Sequence, residues 1–137
     1  MVIKKKPKKK SSPKLSVLKK KAWSMFSERL RKAYSDGSGM SRCYTCGKIA
    51  HWKELQCGHG IPGRHGAVLF DEDICRPQCM PCNVLKHGML HVFATNIIAD
   101  RGKDWWDEKL QKSRETVKFS RSDLEALIDR LKTPPQE

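Results

Sequence analysis

Two Cys-x-x-Cys pairs, Cys43/Cys46 and Cys79/Cys82, constrain this chain more than any other feature. Each pair presents two sulfurs from one turn. Two pairs complete the closed tetrahedron of thiolates that a structural zinc takes, with bonds of about 2.3 Å. No apolar run of roughly 18 residues is present and no apolar h-region follows the basic N-terminus, so the expected compartment is a cytosol. There, paired cysteines favour metal over disulfide, whereas two redox pairs would need a βαβ context that the pattern lacks. With 32 residues between Cys46 and Cys79, there is room for a hairpin. A knuckle, a hairpin and a helix sharing one metal describe a treble clef. Cys57 and Cys75 are left over, read as partly buried free thiols or as substitutes in the metal shell.

Charge adds the second constraint. Formal net charge is +13 over 137 residues, and residues 1–21 hold ten lysines and no acid, so the remainder nets only +3. Lys4, Lys5, Lys6, Lys8, Lys9 and Lys10 form a basic arm on a nearly balanced body, which reads as a phosphate-seeking element. A solubilising tail or membrane tether is the weaker alternative. Residues 1–13 are too poor in apolar surface to offset ordering entropy and are expected to be disordered.

The fold expected is α+β: a small zinc-bound core over residues 36–100, flanked by an N-terminal helix over 14–35 and a helical extension over 101–137. Leu15, Leu18, Ala22, Phe26, Leu30 and Ala33 recur at helical spacing until Asp36-Gly37-Ser38-Gly39. Residues 48–60 suit one hairpin strand and Ala67-Val68-Leu69-Phe70 a second. A helix is expected to begin near Pro81 and to break at Gly88, and another, marked by Leu90, Phe93, Ile97 and Ile98, stops at Gly102. Trp105, Trp106 and Leu110 suggest a short helix and are read as core. Ser120 to Asp123 fits a capping box ahead of the stripe Leu124, Leu127, Ile128, Leu131.

Taken together, Cys43-x-x-Cys46-Gly47, Gly58-His59, Leu69-Phe70-Asp71-Glu72 and Gln78-Cys79-x-x-Cys82-Asn83 with Lys86 and Gly88 resemble the phage NinG (Rap) recombination proteins. The likeness covers roughly residues 22–132. It implies a ββα-metal core like that of HNH, or His-Me finger, endonucleases, acting in the host cytosol on D-loops and Holliday junctions. His59 would then be the general base, and Asn83 and His87, four apart on one helix face, would hold catalytic magnesium or manganese. Asn83 is also read as a helix cap. Arg64, His65, Arg76 and Lys86 are candidates for phosphate contacts, with solvated surface as the alternative.

Two departures from the HNH pattern stand out. Gly58 replaces the usual ligand before the base, and Ile74 the usual orienting Asn. Asp71 is then a candidate extra ligand, and a backbone carbonyl, Asp73 or Gln78 a candidate to orient His59. A homodimer would suit symmetric cutting of a four-way junction, although no residue shows one. The rival function is a non-catalytic zinc module that binds nucleic acid.

Overall fold

The computed structural model describes residues 3–4, 12–63 and 65–133. Lys5, Lys6, Lys8, Lys9, Lys10 and Arg64 lie outside the described residues, as does most of the stretch expected to be disordered.

Two helices from opposite ends of the chain close one side. Helix α1 (Leu15–Ala33) buries Leu18, Ala22, Phe26 and Leu30, each four residues from the last, as the stripe predicts. Its last turn carries Arg31 and Lys32, which complement the negative end of the helix dipole. The C-terminal helix, numbered α4 below, spans Arg121–Lys132 and starts with the capping box: Ser120 accepts from the Asp123 amide while Asp123 accepts from the Ser120 amide. Leu124, Leu127 and Ile128 pack on Leu18 and Ala22, so the chain ends are joined by an apolar seam. Arg29 adds a polar clasp, donating to the carbonyl oxygens of Arg130 at 3.1 Å and Thr133 at 3.2 Å.

Between these helices lie two antiparallel hairpins. Strands β1 (Met40–Arg42) and β2 (Ile49–His51) pair Met40 with His51 and carry the Cys43–Cys46 turn at their tip. Strands β3 (Gln56–His59) and β4 (Cys75–Gln78) pair Gln56 with Gln78 and His59 with Cys75. The partner of the His59 strand is therefore Cys75–Gln78 and not Ala67–Phe70. That apolar run is instead a series of turns that pushes Val68 wholly into the core. Four residues bounded by glycine suit either outcome, and burial of Val68 decided it.

Opposed residues in a pleated pair share a face. Cys57, His59, Cys75 and Pro77 therefore line one face of the β3–β4 hairpin, and Gln56, Gly58, Arg76 and Gln78 the other. Cys57 and Cys75 join Phe26 and Leu30 in the main core, apart from the other four cysteines.

After β4 the chain makes a single π-helical turn, Pro81–Leu85, and then reverses through three left-handed residues, His87 (φ 52°), Gly88 (φ 86°) and Met89 (φ 48°). The helix expected after Cys82 thus stops a turn early, and Asn83 and His87 do not share a helix face. Helix α2 (Leu90–Arg101) follows, ended by Gly102 at φ 93°, and then α3 (Lys103–Ser113). Phe93, Ile97 and Trp106 complete the core, which places Trp106 as expected.

Gly58 sits where no side chain fits. A Cβ there would lie 1.8 Å from Gln78 Oε1 and 2.6 Å from its Cδ. Gln78 is fully buried and its amide nitrogen is already held by two acceptors, so it has nowhere to move. Gly58→Ala is expected to cost about 1–3 kcal/mol through overpacking, seen as a lower urea midpoint at unchanged m-value.

Candidate functional site

The four sulfurs of Cys43, Cys46, Cys79 and Cys82 all lie within 4.8 Å of one another. A tetrahedron with metal–sulfur bonds of about 2.3 Å has edges of about 3.8 Å, and the Cys46–Cys79 separation is 3.7 Å. Cys43, Cys79 and Cys82 are buried with Ala50 and Leu55. Such a set fits a structural metal such as zinc.

A polar relay aims the ligands. Gln78 Nε2 donates to the Gly88 carbonyl at 2.9 Å and to Thr45 Oγ1 at 3.1 Å, and Thr45 Oγ1 lies 3.5 Å from Cys43 Sγ. Burial would raise the Cys43 pKa. The Thr45 hydroxyl and the Cys46, Cys79 and Thr45 amides outweigh it and bring the thiol down to about 6. Burial instead pushes Cys79 up to about 12. Four crowded sulfurs ionise together only when a cation shares the pocket. Gln78 Oε1 is buried without a hydrogen-bond partner, pressed over Gly58.

His59 lies across the hairpin from this network, at the end of β3. Its Nε2 is 2.9 Å from the Leu69 carbonyl oxygen. A carbonyl only accepts, so Nε2 carries the proton and Nδ1 keeps its lone pair. Of the orienting groups considered from sequence, a backbone carbonyl fills the role; Gln78 is committed to Thr45 and Gly88. The Trp23 indole stacks on the imidazole at 5.2 Å and 17°. Burial lowers the His59 pKa, against the Leu69 hydrogen bond and the Asp71 charge, so the ring is neutral near pH 7.

Several expected site residues have other partners. Asp71 Oδ2 is 2.9 Å from both Lys109 Nζ and Lys112 Nζ, and Lys109 also reaches Asp73 at 3.0 Å. Two ammonium groups already satisfy the carboxylate that sequence offered as a metal ligand. Arg76 is buried: it donates to the Asp73 and Cys75 carbonyls and lies over the Tyr34 and Tyr44 rings. That burial removes it from the surface open to phosphate. Asn83 caps no helix; its Nδ2 donates to Gln56 Oε1 at 2.8 Å, on the hairpin face opposite His59. His65, Lys86 and His87 are exposed, as is Lys4 in the arm. A groove of about 1140 Å³ runs between α1, α4 and Asp71–Asp73, clear of both His59 and the cysteines. Sequence reading missed Trp23, Thr45 and Lys109. Trp23 was within reach, since it falls one residue beyond Ala22 on the face turned toward β3.

The bacteriophage lambda NinG protein family matches residues 3–136. The chain belongs to the NinG family. No curated protein and no solved structure matches it. No helix among the described residues is long and apolar enough to cross a membrane. The family match spans both the four-cysteine cluster and His59.

Two outcomes are expected. Zinc should be present at about one per chain by elemental analysis, and Cys43→Ser should abolish cooperative unfolding, because structural zinc supplies about 10–16 kcal/mol in small domains. The Asp71 pKa is held down because the Lys109 and Lys112 bonds outweigh burial, which would raise it. Its stabilising effect is therefore present above the unfolded carboxyl value of about 3.9 and is lost as pH falls through the lower folded value. Asp71→Asn should flatten that acid limb in urea melts taken down to about pH 3.

Proposed function

We propose that this chain is a metal-dependent endonuclease that cuts branched DNA arising in phage recombination, with a structural zinc in the four-cysteine cluster. The observation that carries the reading is the state of His59. It is a largely buried imidazole whose Nε2–H is tied to Leu69 and whose pKa is lowered by burial, which leaves Nδ1 as the nitrogen that would take a proton from water, as a general base must. Stacking on Trp23 fixes the ring plane. Magnesium or manganese would stabilise charge on the scissile phosphate. Asn83 and His87, expected from the sequence to hold such an ion, do not share a helix face, and Asn83 bonds Gln56 on the hairpin face opposite His59. Lys86, His65 and the lysine arm would meet the backbone phosphates.

A second reading, a zinc module that binds nucleic acid without cutting it, is favoured by one observation. Asp71 is neutralised by two lysines, and Asn83 lies on the far face of β3, so oxygen donors do not gather around His59.

His59→Ala separates the two. With magnesium or manganese and a panel of linear, nicked, looped and four-way DNAs, it should bind as the wild type does and cleave roughly 10²–10⁴-fold more slowly. Wild-type protein that binds all of them and cuts none would give the second reading. If the base is His59, the acid limb of the cleavage profile should lie below the ordinary histidine value of about 6.5. Deleting residues 1–13 should reduce the slope of log K against log salt by roughly 4 to 5, for about five phosphate contacts at 0.9 each. Preference among DNA shapes should persist.

A further inference from the structure

The two segments that carry the four cysteines contain no carboxylate. No Asp or Glu occurs from Gly37 to Lys53 or from Ile74 to Ala99, so all 15 acids lie elsewhere, with Asp36, Glu54, Asp73 and Asp100 at the borders. Asp100 is engaged by the Tyr44 hydroxyl at 3.0 Å. Arg42, Lys48, Lys53 and Lys86 are exposed within these stretches. The π-helical turn Pro81–Leu85 lies in the second of these segments. Its defining bond, Lys86 N–H to the Pro81 carbonyl at 2.9 Å, places residues four and five apart above one another.

Met80, Val84 and Leu85 therefore share one side of the turn, and they are 43%, 53% and 66% exposed. One exposed apolar side chain is ordinary on a protein surface, but three on a single turn are not. Cys79 and Cys82 tie this turn to the four-cysteine cluster, and the Gly88 amide closes on Cys82 O at 2.9 Å. An apolar tip beside a lysine, in a segment without carboxylates, complements a polyanion whose bases are accessible. Intact duplex offers the charge but hides the base faces. The centre of a branched DNA offers both, and apolar wedges are a general way of entering an opened base step.

We infer that Met80, Val84 and Leu85 form a wedge that enters the unstacked centre of branched DNA, with Lys86 on an adjacent phosphate. The inference rests on the proposed DNA-directed function but not on cleavage. It assigns recognition of DNA shape to the metal-held turn and leaves His59 and the lysine arm out of that task.

The test uses full-length, zinc-loaded protein with Val84→Ser/Leu85→Ser, and Leu85→Ser alone as the milder variant should the double one lose zinc. Binding is measured on a four-way junction carrying 2-aminopurine at its centre and on a duplex of the same composition. Wild type should raise the 2-aminopurine fluorescence of the junction. The variants should lose that rise and about tenfold in junction affinity while duplex affinity changes less than about twofold. Lys86→Gln should weaken junction and duplex alike. Unchanged junction affinity and fluorescence in the serine variants would overturn the wedge. So would a wild-type dimer that the variants convert to monomer with DNA binding intact, since a second copy would then cover the tip. Wild type that unstacks the junction and never cleaves it would uphold the wedge while ending the nuclease reading.

Discussion

Convergence of four sulfurs on one point is the interaction on which the rest of this structure depends. Two short hairpins and a single π turn have little apolar surface to hold one another, and among the described residues Ala50, Leu55 and the partly buried Met89 accompany Cys43, Cys79 and Cys82 in that corner of the core. A cation shared by the four sulfurs would supply what burial does not. It would fix the knuckle against the end of β4, and the buried amide of Gln78 extends that order to Thr45 on one side and Gly88 on the other. Gly58 is the concession made to this amide, since its missing side chain is the space that Gln78 fills.

The opposite face of the same four-residue strand is organised by different forces. There the imidazole of His59 is sandwiched between α1 and the turn that ends in Phe70, held by an indole and a carbonyl. Asp71, immediately after that turn, is gripped by two lysines of α3. The segment carrying the Leu69 carbonyl is thus pinned by ion pairs from a helix remote in sequence. The Lys109–Asp71 pair, 16% and 6% exposed, is less sensitive to salt than surface pairs are. The four-cysteine corner and the His59 corner are joined through the β3–β4 backbone and through Tyr44, which packs on Phe93 of the main core.

Much of this was legible in the sequence because its signals are local. Cysteine spacing identified the cluster, apolar periodicity drew α1 and α4, and Ser120-x-x-Asp123 fixed the start of α4 to the residue. Gly102 marked the end of α2. What the sequence hid were choices made by tertiary contact. Cys75-Arg76-Pro77-Gln78 holds a proline and two polar residues, so nothing in it announces a buried strand; it becomes one by pairing with β3. Arg76 reads as a surface cation and is drawn inside by two tyrosine rings and two carbonyls. Asp71 reads as a ligand until Lys109, 38 residues away, reaches it. Helical spacing between Asn83 and His87 failed for a local reason that sequence does carry, namely that Gly88 invites a left-handed reversal that spreads to both its neighbours.

The two faces of β3 have a consequence for how chains of this kind are free to vary. Side chains alternate strictly along a strand, so inserting or deleting one residue between Gln56 and His59 would turn the imidazole toward the cysteines and the glycine toward the indole. No compensating substitution at one position repairs such an exchange. The stretch after β3 is held as well, since Ile61 is in the core and His65 and Gly66 pair with Val117 and Thr116. Lineages sharing this architecture are therefore bound to keep the strand itself at fixed count. The step from Gln56 to His59 is in that sense a ruler set by the pleat.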